Sequence, residues 1–195
     1  MKKVLFRLVG GIALLVVLLV LLGWLGLRSS LPELDGEVLV SGIDATVTIE
    51  RDAEGIPVIT ASKRRDLAFG TGFAHGQERF FQMDLIRRQA AGELAELVGA
   101  AAIDVDKRYR FHRFRARAHA VYDAASADER RLMAAYAAGV NAGLASLDAR
   151  PFEYFVLGEE PRAWDARDSL LAVYAMYMQL NDSRATKETR RGLAH

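Results

Sequence analysis

The chain has 195 residues, 51% apolar and 26% charged, with 26 Lys and Arg against 25 Asp and Glu. That balance belongs to a globular rather than a disordered protein and makes no case for a nucleic-acid partner. Cysteine is absent, which excludes a disulfide, a thiolate nucleophile or a Cys-ligated zinc within the chain.

Lys2, Lys3 and Arg7 precede an apolar run from Leu8 to Leu27. About 20 such residues match the thickness of a bilayer core. The basic flank keeps the N-terminus in the cytoplasm. The run is apolar on every face, unlike the helix of a soluble domain. Residues 23–29 offer no small-x-small cleavage site, which favours an uncleaved signal anchor over a cleaved signal peptide for residues 1–28. Both readings place the rest of the chain outside the cytoplasm, in a periplasmic or other extracytoplasmic compartment. The anchor reading holds it to the inner membrane through residues 4–27.

Residues 29–36, with Ser, Pro and Gly, read as a linker. Val38–Val40 and Ala45–Glu50 alternate and are rich in β-branched residues, which predicts two strands with Ser41-Gly42 as the turn between them. Arg51–Gly55 is a turn signal before Ile56–Thr60, a short strand with Pro57 near its start.

A long helical region is predicted from Asp66. Phe69, Phe73, Phe80 and Met83 fall on one face of it. Asp84 and Arg88 stand at i and i+4 and pair on its surface. Gly92 interrupts the region, and Gly99 ends its continuation. Asp104–Arg117 reads as one basic helix. Asp128-Glu129 opens another that carries Leu132, Met133, Tyr136, Val140 and Leu144. Pro151–Gly158 is a shorter aromatic segment. Asp165 or Asp168 is the expected N-cap of a last helix carrying Leu170, Leu171, Tyr174 and Met178.

Chemistry-bearing motifs are sparse. There is no glycine-rich nucleotide loop and no His-Glu-x-x-His. The histidines, His75, His112, His119 and His195, are scattered. Ser41, Ser62 and Ser126 have no evident His–Asp arrangement. Glu78 has an arginine neighbour as a structural partner, and ion pairs of this kind occur without catalysis. No complete catalytic constellation is present.

Order and spacing carry more. Arg51-Asp52-x-x-Gly55-Ile56-Pro57-x-Ile59-x-Ala61 is followed by Asp66-Leu67. Next comes Gly72-Phe73-Ala74-His75-x-Gln77-Glu78-Arg79-x-x-Gln82-Met83-Asp84-x-x-Arg87-Arg88, then Gly92-x-Leu94-Ala95-Glu96-Leu97-x-Gly99. Together they resemble the N-terminal part of the penicillin acylase (penicillin amidase) family of N-terminal nucleophile hydrolases. Asp106, Arg108, Tyr136–Ala142, Trp164 and Asp168 extend the resemblance, which covers residues 37–195. Two positions depart from the pattern. Val58 stands where the family often has His, and Glu78 where it commonly has Asp; Glu78 keeps a charge to face Arg79 or Arg88.

The resemblance implies an α+β fold: the α-subunit portion of an αββα sandwich, mainly helical with a few N-terminal strands. It implies an exported precursor that cleaves itself into α- and β-subunits. The β-subunit's first residue is a serine whose hydroxyl attacks and whose α-amine acts as base. The substrate would be a small amide: the acyl side chain of a β-lactam, an acyl-homoserine lactone or similar. Met178 and Asp182 fall where the family's acyl-pocket residues lie, although Asp182 departs from the apolar type expected there. Glu188 falls where a glutamate ligates structural calcium, the remaining ligands lying in the β-part. No Gly-Ser-Asn-type junction follows Arg190–His195. The chain is therefore expected to be a processed α-subunit or, preferably, a truncated precursor, and to lack the nucleophile. The competing expectation is a membrane-anchored, non-catalytic binding or scaffold protein that retains the α-subunit fold.

Overall fold

A computed structural model describes residues 2–181 and residue 192. Helix α1 (Lys2–Ser29) comes first. Its segment Val9–Ser29, 21 residues with mean hydropathy 2.6, is long and apolar enough to cross a membrane and is not buried against the rest of the chain. Strands β1 (Thr48–Arg51) and β2 (Pro57–Thr60) pair antiparallel, Ile49 opposite Ile59 and Arg51 opposite Pro57. Their turn closes on Asp52, whose Oδ1 accepts from Ile56 N at 2.8 Å and Glu54 N at 3.1 Å, with Gly55 at φ 79°. This is an Asx turn followed by a residue that glycine alone adopts without strain.

The expected strand at Val38–Val40 does not form. A strand needs a ladder partner, and the chain that would supply one is drawn elsewhere. Asp66, fully buried in the first turn of α2 (Arg64–Ala91), accepts from Asp44 N at 3.0 Å and Ala45 N at 3.2 Å. That bond peels the segment onto the helix, and β1 begins at Thr48 rather than Ala45.

Helix α2 is the spine of the body, and α6 (Ala127–Ala145) packs along it. The two run parallel with their backbones in contact. A Cβ at Gly72 would lie 2.2 Å from Tyr136 O, and one at Gly76 2.1 Å from Val140 O. Reciprocally, a Cβ at Gly139 would lie 2.0 Å from Phe69 O, and one at Gly143 2.1 Å from Phe73 O. Two glycine pairs, each spaced by four, thus interlock as small-x-x-x-small faces do in close helix pairs. Ser126 opens α6 with a capping box to Glu129.

Gly92, at φ 70°, ends α2, and α3 (Ala95–Val98) follows. The Asp106 carboxylate accepts from Leu94 N and Ala95 N, each at 2.8 Å, and so caps α3. The single helix expected over 104–117 is two: α4 (Ile103–Arg110) and α5 (Phe114–Ala124). Arg113, left-handed at φ 54°, breaks it. The break turns Phe114 inward to stack on Tyr174 with ring centroids 4.7 Å apart. Helix α7 (Phe152–Leu157) is short, and α8 (Asp168–Leu180) is last. Neither expected aspartate is the N-cap of α8. Arg167 takes that position, because Asp168 is drawn inside the helix and its carboxylate is occupied by other groups.

Two apolar clusters result. One joins Phe80, Leu97, Ala137, Val140, Tyr154 and Trp164. The other joins Ala90, Phe114, Ala118 and Leu171. On the far side of α8, Val173, Met176, Tyr177 and Leu180 stand exposed at i, i+3, i+4 and i+7, an uncovered helix face.

Candidate functional site

The most concentrated chemistry in the body is a buried ionic network between α2, α7 and α8. Arg87 is fully buried. Its Nε donates to Asp84 Oδ1 at 2.7 Å and its Nη1 to Asp168 Oδ2 at 2.6 Å. Nη1 also donates to Ala163 O at 2.8 Å, and Nη2 to Arg162 O. Its guanidinium lies 4.9 Å from the Trp164 ring centroid. Each of the three nitrogens of this buried cation therefore has an acceptor, the condition under which such burial is tolerated.

Asp84, equally buried, accepts from Arg88 Nε at 2.9 Å through the same oxygen. Its other oxygen takes the Tyr154 hydroxyl at 2.7 Å. Burial, followed by the Asp84 charge, pushes the Tyr154 phenol far above its ordinary range, so it acts as a fixed donor. The Asp84–Arg88 pair expected on the helix surface is thus in the interior. Arg88 continues to Glu96 at 3.2 Å. Arg115 holds Glu93 at 2.5 Å and reaches Asp168 Oδ1 at 3.3 Å. Burial alone would raise the Glu93 carboxyl, but Arg115 and Arg162 outweigh it and hold it below the usual range.

A second tie lies nearer the hairpin. Glu78 pairs with Arg51 of β1 and stands 3.9 Å from Arg79, whereas Arg88, one of its two expected partners, turns to Asp84 and Glu96. Asn141 of α6 grips Trp164 at two points, donating to its O at 3.0 Å and accepting from its N at 2.8 Å. His75 Nδ1 lies 2.8 Å from the Tyr136 hydroxyl. Burial pushes the Tyr136 phenol up to about 12.

These groups position; they do not complete a reaction centre. The arginines stay protonated and cannot serve as bases. Tyr136, with its raised phenol, is no nucleophile for His75 to activate. Beside the network, an open apolar groove of about 360 Å³ runs between α2, α6 and α8, lined by Met83, Ile86, Leu132, Met133, Tyr136 and Trp164 among others.

Of the expected site residues, Met178 lies on α8, partly buried against the cluster of Ala90, Phe114, Ala118 and Leu171. Asp182 and Glu188 lie outside the described residues. What the sequence did not disclose is how the network is joined. Tyr154 is 70 residues from Asp84, and Asp168 is 81 residues from Arg87. Neither separation has a periodic signal.

Known proteins share this body. A family profile described as penicillin amidase matches residues 46–195. Penicillin acylase 2 proenzyme of Pseudomonas sp. (strain SE83) is 40% identical over 144 residues, covering 74% of this chain and 19% of that protein. Acyl-homoserine lactone acylase QuiP of Pseudomonas aeruginosa is 36% identical over 156 residues, covering 78% of this chain and 18% of that protein. A solved thermostable penicillin G acylase from Alcaligenes faecalis superposes with a TM-score of 0.62 at 30% identity. That superposition covers 70% of this chain and 75% of the matched chain. The chain spans about a fifth of the length of the curated relatives it matches.

Proposed function

The chain belongs to the penicillin amidase family, and on that premise we propose that it is the α-subunit part of an exported amidohydrolase. One coincidence carries the reading. Asp84, Arg87, Arg88 and Asp168 are among the residues through which the sequence resembles the family, and they also form one buried ionic network, in which the Arg87–Asp168 bond ties α2 to α8. A body built around them is a frame for chemistry supplied elsewhere.

In this reading the reaction is hydrolysis of a linear amide to a carboxylate and an amine. The nucleophile is the hydroxyl of a serine at the start of a β-subunit. Its own α-amine, with a pKa of about 8, takes the proton near neutral pH. The acyl groups of β-lactams and of acyl-homoserine lactones are the candidate substrates, in keeping with the names of the relatives. Met178, followed along the chain by Asp182, would line the acyl pocket, and methionine suits an adaptable apolar wall. The exposed stripe Val173, Met176, Tyr177 and Leu180 would be covered by the β-subunit.

Calcium belongs to this proposal through Glu188, a hard oxygen ligand of the right kind. Among the described residues no group of three His, Asp or Glu side chains is placed to hold a metal ion. The other ligands would come from the β-part, and no step above depends on the ion.

The test is to assay this chain alone, and co-expressed with the polypeptide encoded downstream of it, for amine release from phenylacetyl amides and acyl-homoserine lactones. Turnover is expected with both parts together and none with this chain by itself. Activity of the chain alone would overturn the division of labour, and inactivity of the complete polypeptide on every amide tried would favour the scaffold reading.

A further inference from the structure

Helix α7 has a face that the ionic network does not use. Tyr154 points inward and is wholly buried, whereas Phe152, Phe155 and Val156 are 45%, 49% and 80% exposed. Their i, i+3, i+4 spacing sets them on one side of the helix. The guanidinium of Arg150 lies 4.5 Å from the Phe155 ring centroid and pairs with Glu160, so an ion pair closes the edge of this apolar face.

The position of that face relative to α1 gives it meaning. Ser29, the last residue of α1, accepts a hydrogen bond at its carbonyl from Ala149 N at 3.0 Å. Three residues of chain, at most about 10 Å, separate Ala149 from Phe152. The span Val9–Ser29 has 21 residues, which at about 1.5 Å each makes roughly 31 Å, the thickness of a hydrocarbon core. Ser29 then falls at the membrane boundary. The last turn of α1 carries the marks of that level, with Arg28 5.6 Å from the Trp24 ring centroid.

We propose that α7 is a membrane-docking element: Phe152, Phe155 and Val156 rest in the lipid interface at the exit of α1, beside Trp24 and with Arg28 toward the headgroups. The anchor and the short helix would then form one two-point attachment. The folded body would be held in a fixed attitude to the bilayer instead of swinging on a tether. Shallow burial of an apolar helix face is how interfacial helices bind. The inference rests on reading α1 as a retained anchor.

The test exploits the absence of cysteine. The full chain is reconstituted in nanodiscs of phosphatidylcholine and phosphatidylglycerol after Val156→Cys, Leu18→Cys or Glu54→Cys, and each variant carries one nitroxide label. Saturation measurements compare access of lipid-phase oxygen with access of a water-soluble nickel chelate. The label at 156 is expected to favour oxygen several-fold, as the label at 18 does, while the label at 54, on the hairpin turn, favours nickel. A label at 156 that behaves like the one at 54, while 18 stays in lipid, overturns the docking and leaves the anchor standing. Shielding of 156 from both reagents overturns it too, because a protein segment then covers the face. A label at 18 open to nickel removes the anchor and the docking together. All three sites are exposed, so the labels leave the core untouched.

Discussion

Arg87 Nη1 lies 2.6 Å from Asp168 Oδ2, and this bond joins the last third of α2 to the first residue of α8. It fixes the starting point and direction of α8, the helix that carries Met178. The bond lies in the interior, where removing one partner strands the other.

Arg87→Leu should therefore destabilise the detergent-solubilised chain by about 3–5 kcal/mol in urea unfolding. Arg131→Ala, which removes an exposed pair with Asp128, should change it by less than about 1 kcal/mol. Equal effects of the two substitutions would mean that the buried network contributes nothing special.

Gly139→Ala adds one methyl group where Phe69 O stands 2.0 Å away. Neither backbone can yield without parting α2 from α6, so a loss of at least about 1–3 kcal/mol is expected. By propensity alone the change would favour the helix by up to about 1 kcal/mol. The sign of the measured change decides which effect governs, and stabilisation would refute the close approach.

Burial, followed by the Arg79 charge, holds His75 below its ordinary value of 6.5, against the pull of Glu78. As pH falls the unfolded chain takes up the proton first. The stabilisation from neutral His75 is full above pH 6.5 and is lost as pH drops through that value toward the lower folded one. His75→Gln should flatten the decline of Tm between about pH 7.5 and pH 5.5. An unchanged slope would show that the His75–Tyr136 pair has no part in acid sensitivity.

Met178 offers a test of the pocket assignment. In the complete polypeptide, Met178→Ala should shift the kcat/KM ratio between short and long acyl chains by about 10-fold or more, as one or two methylenes in an apolar wall do. A drop in Tm with an unchanged ratio would make Met178 a core residue only, consistent with its packing beside Leu171.

Local signals were legible. Gly92 and Gly99 end α2 and α3 as their positions imply, and the apolar stripe of α6 is buried at Val140. The Asp84–Arg88 pair was legible because helical spacing places the two together, whereas its burial was not. The completion of the network by Tyr154 and Asp168 was not legible either, because contacts over 70 and 81 residues leave no periodicity. The missing strand at Val38–Val40 and the break at Arg113 share one cause. Each segment has the local propensity, but a tertiary bond redirects it: the Asp66 carboxylate in the first case, the burial of Phe114 in the second. Val58, where the family often has His, sits half-exposed on β2.

The glycine contact of α2 and α6 also bears on biosynthesis. Gly143, which meets Phe73, follows it by 70 residues. At about 5–20 residues per second, α2 emerges roughly 4–14 seconds before its neighbour. During that interval its small-residue groove and its buried-to-be carboxylates have no native cover. A slowly translated or paused nascent chain is then most vulnerable between residues 92 and 143, where stalled intermediates should be cut readily by protease and protected once α6 has emerged.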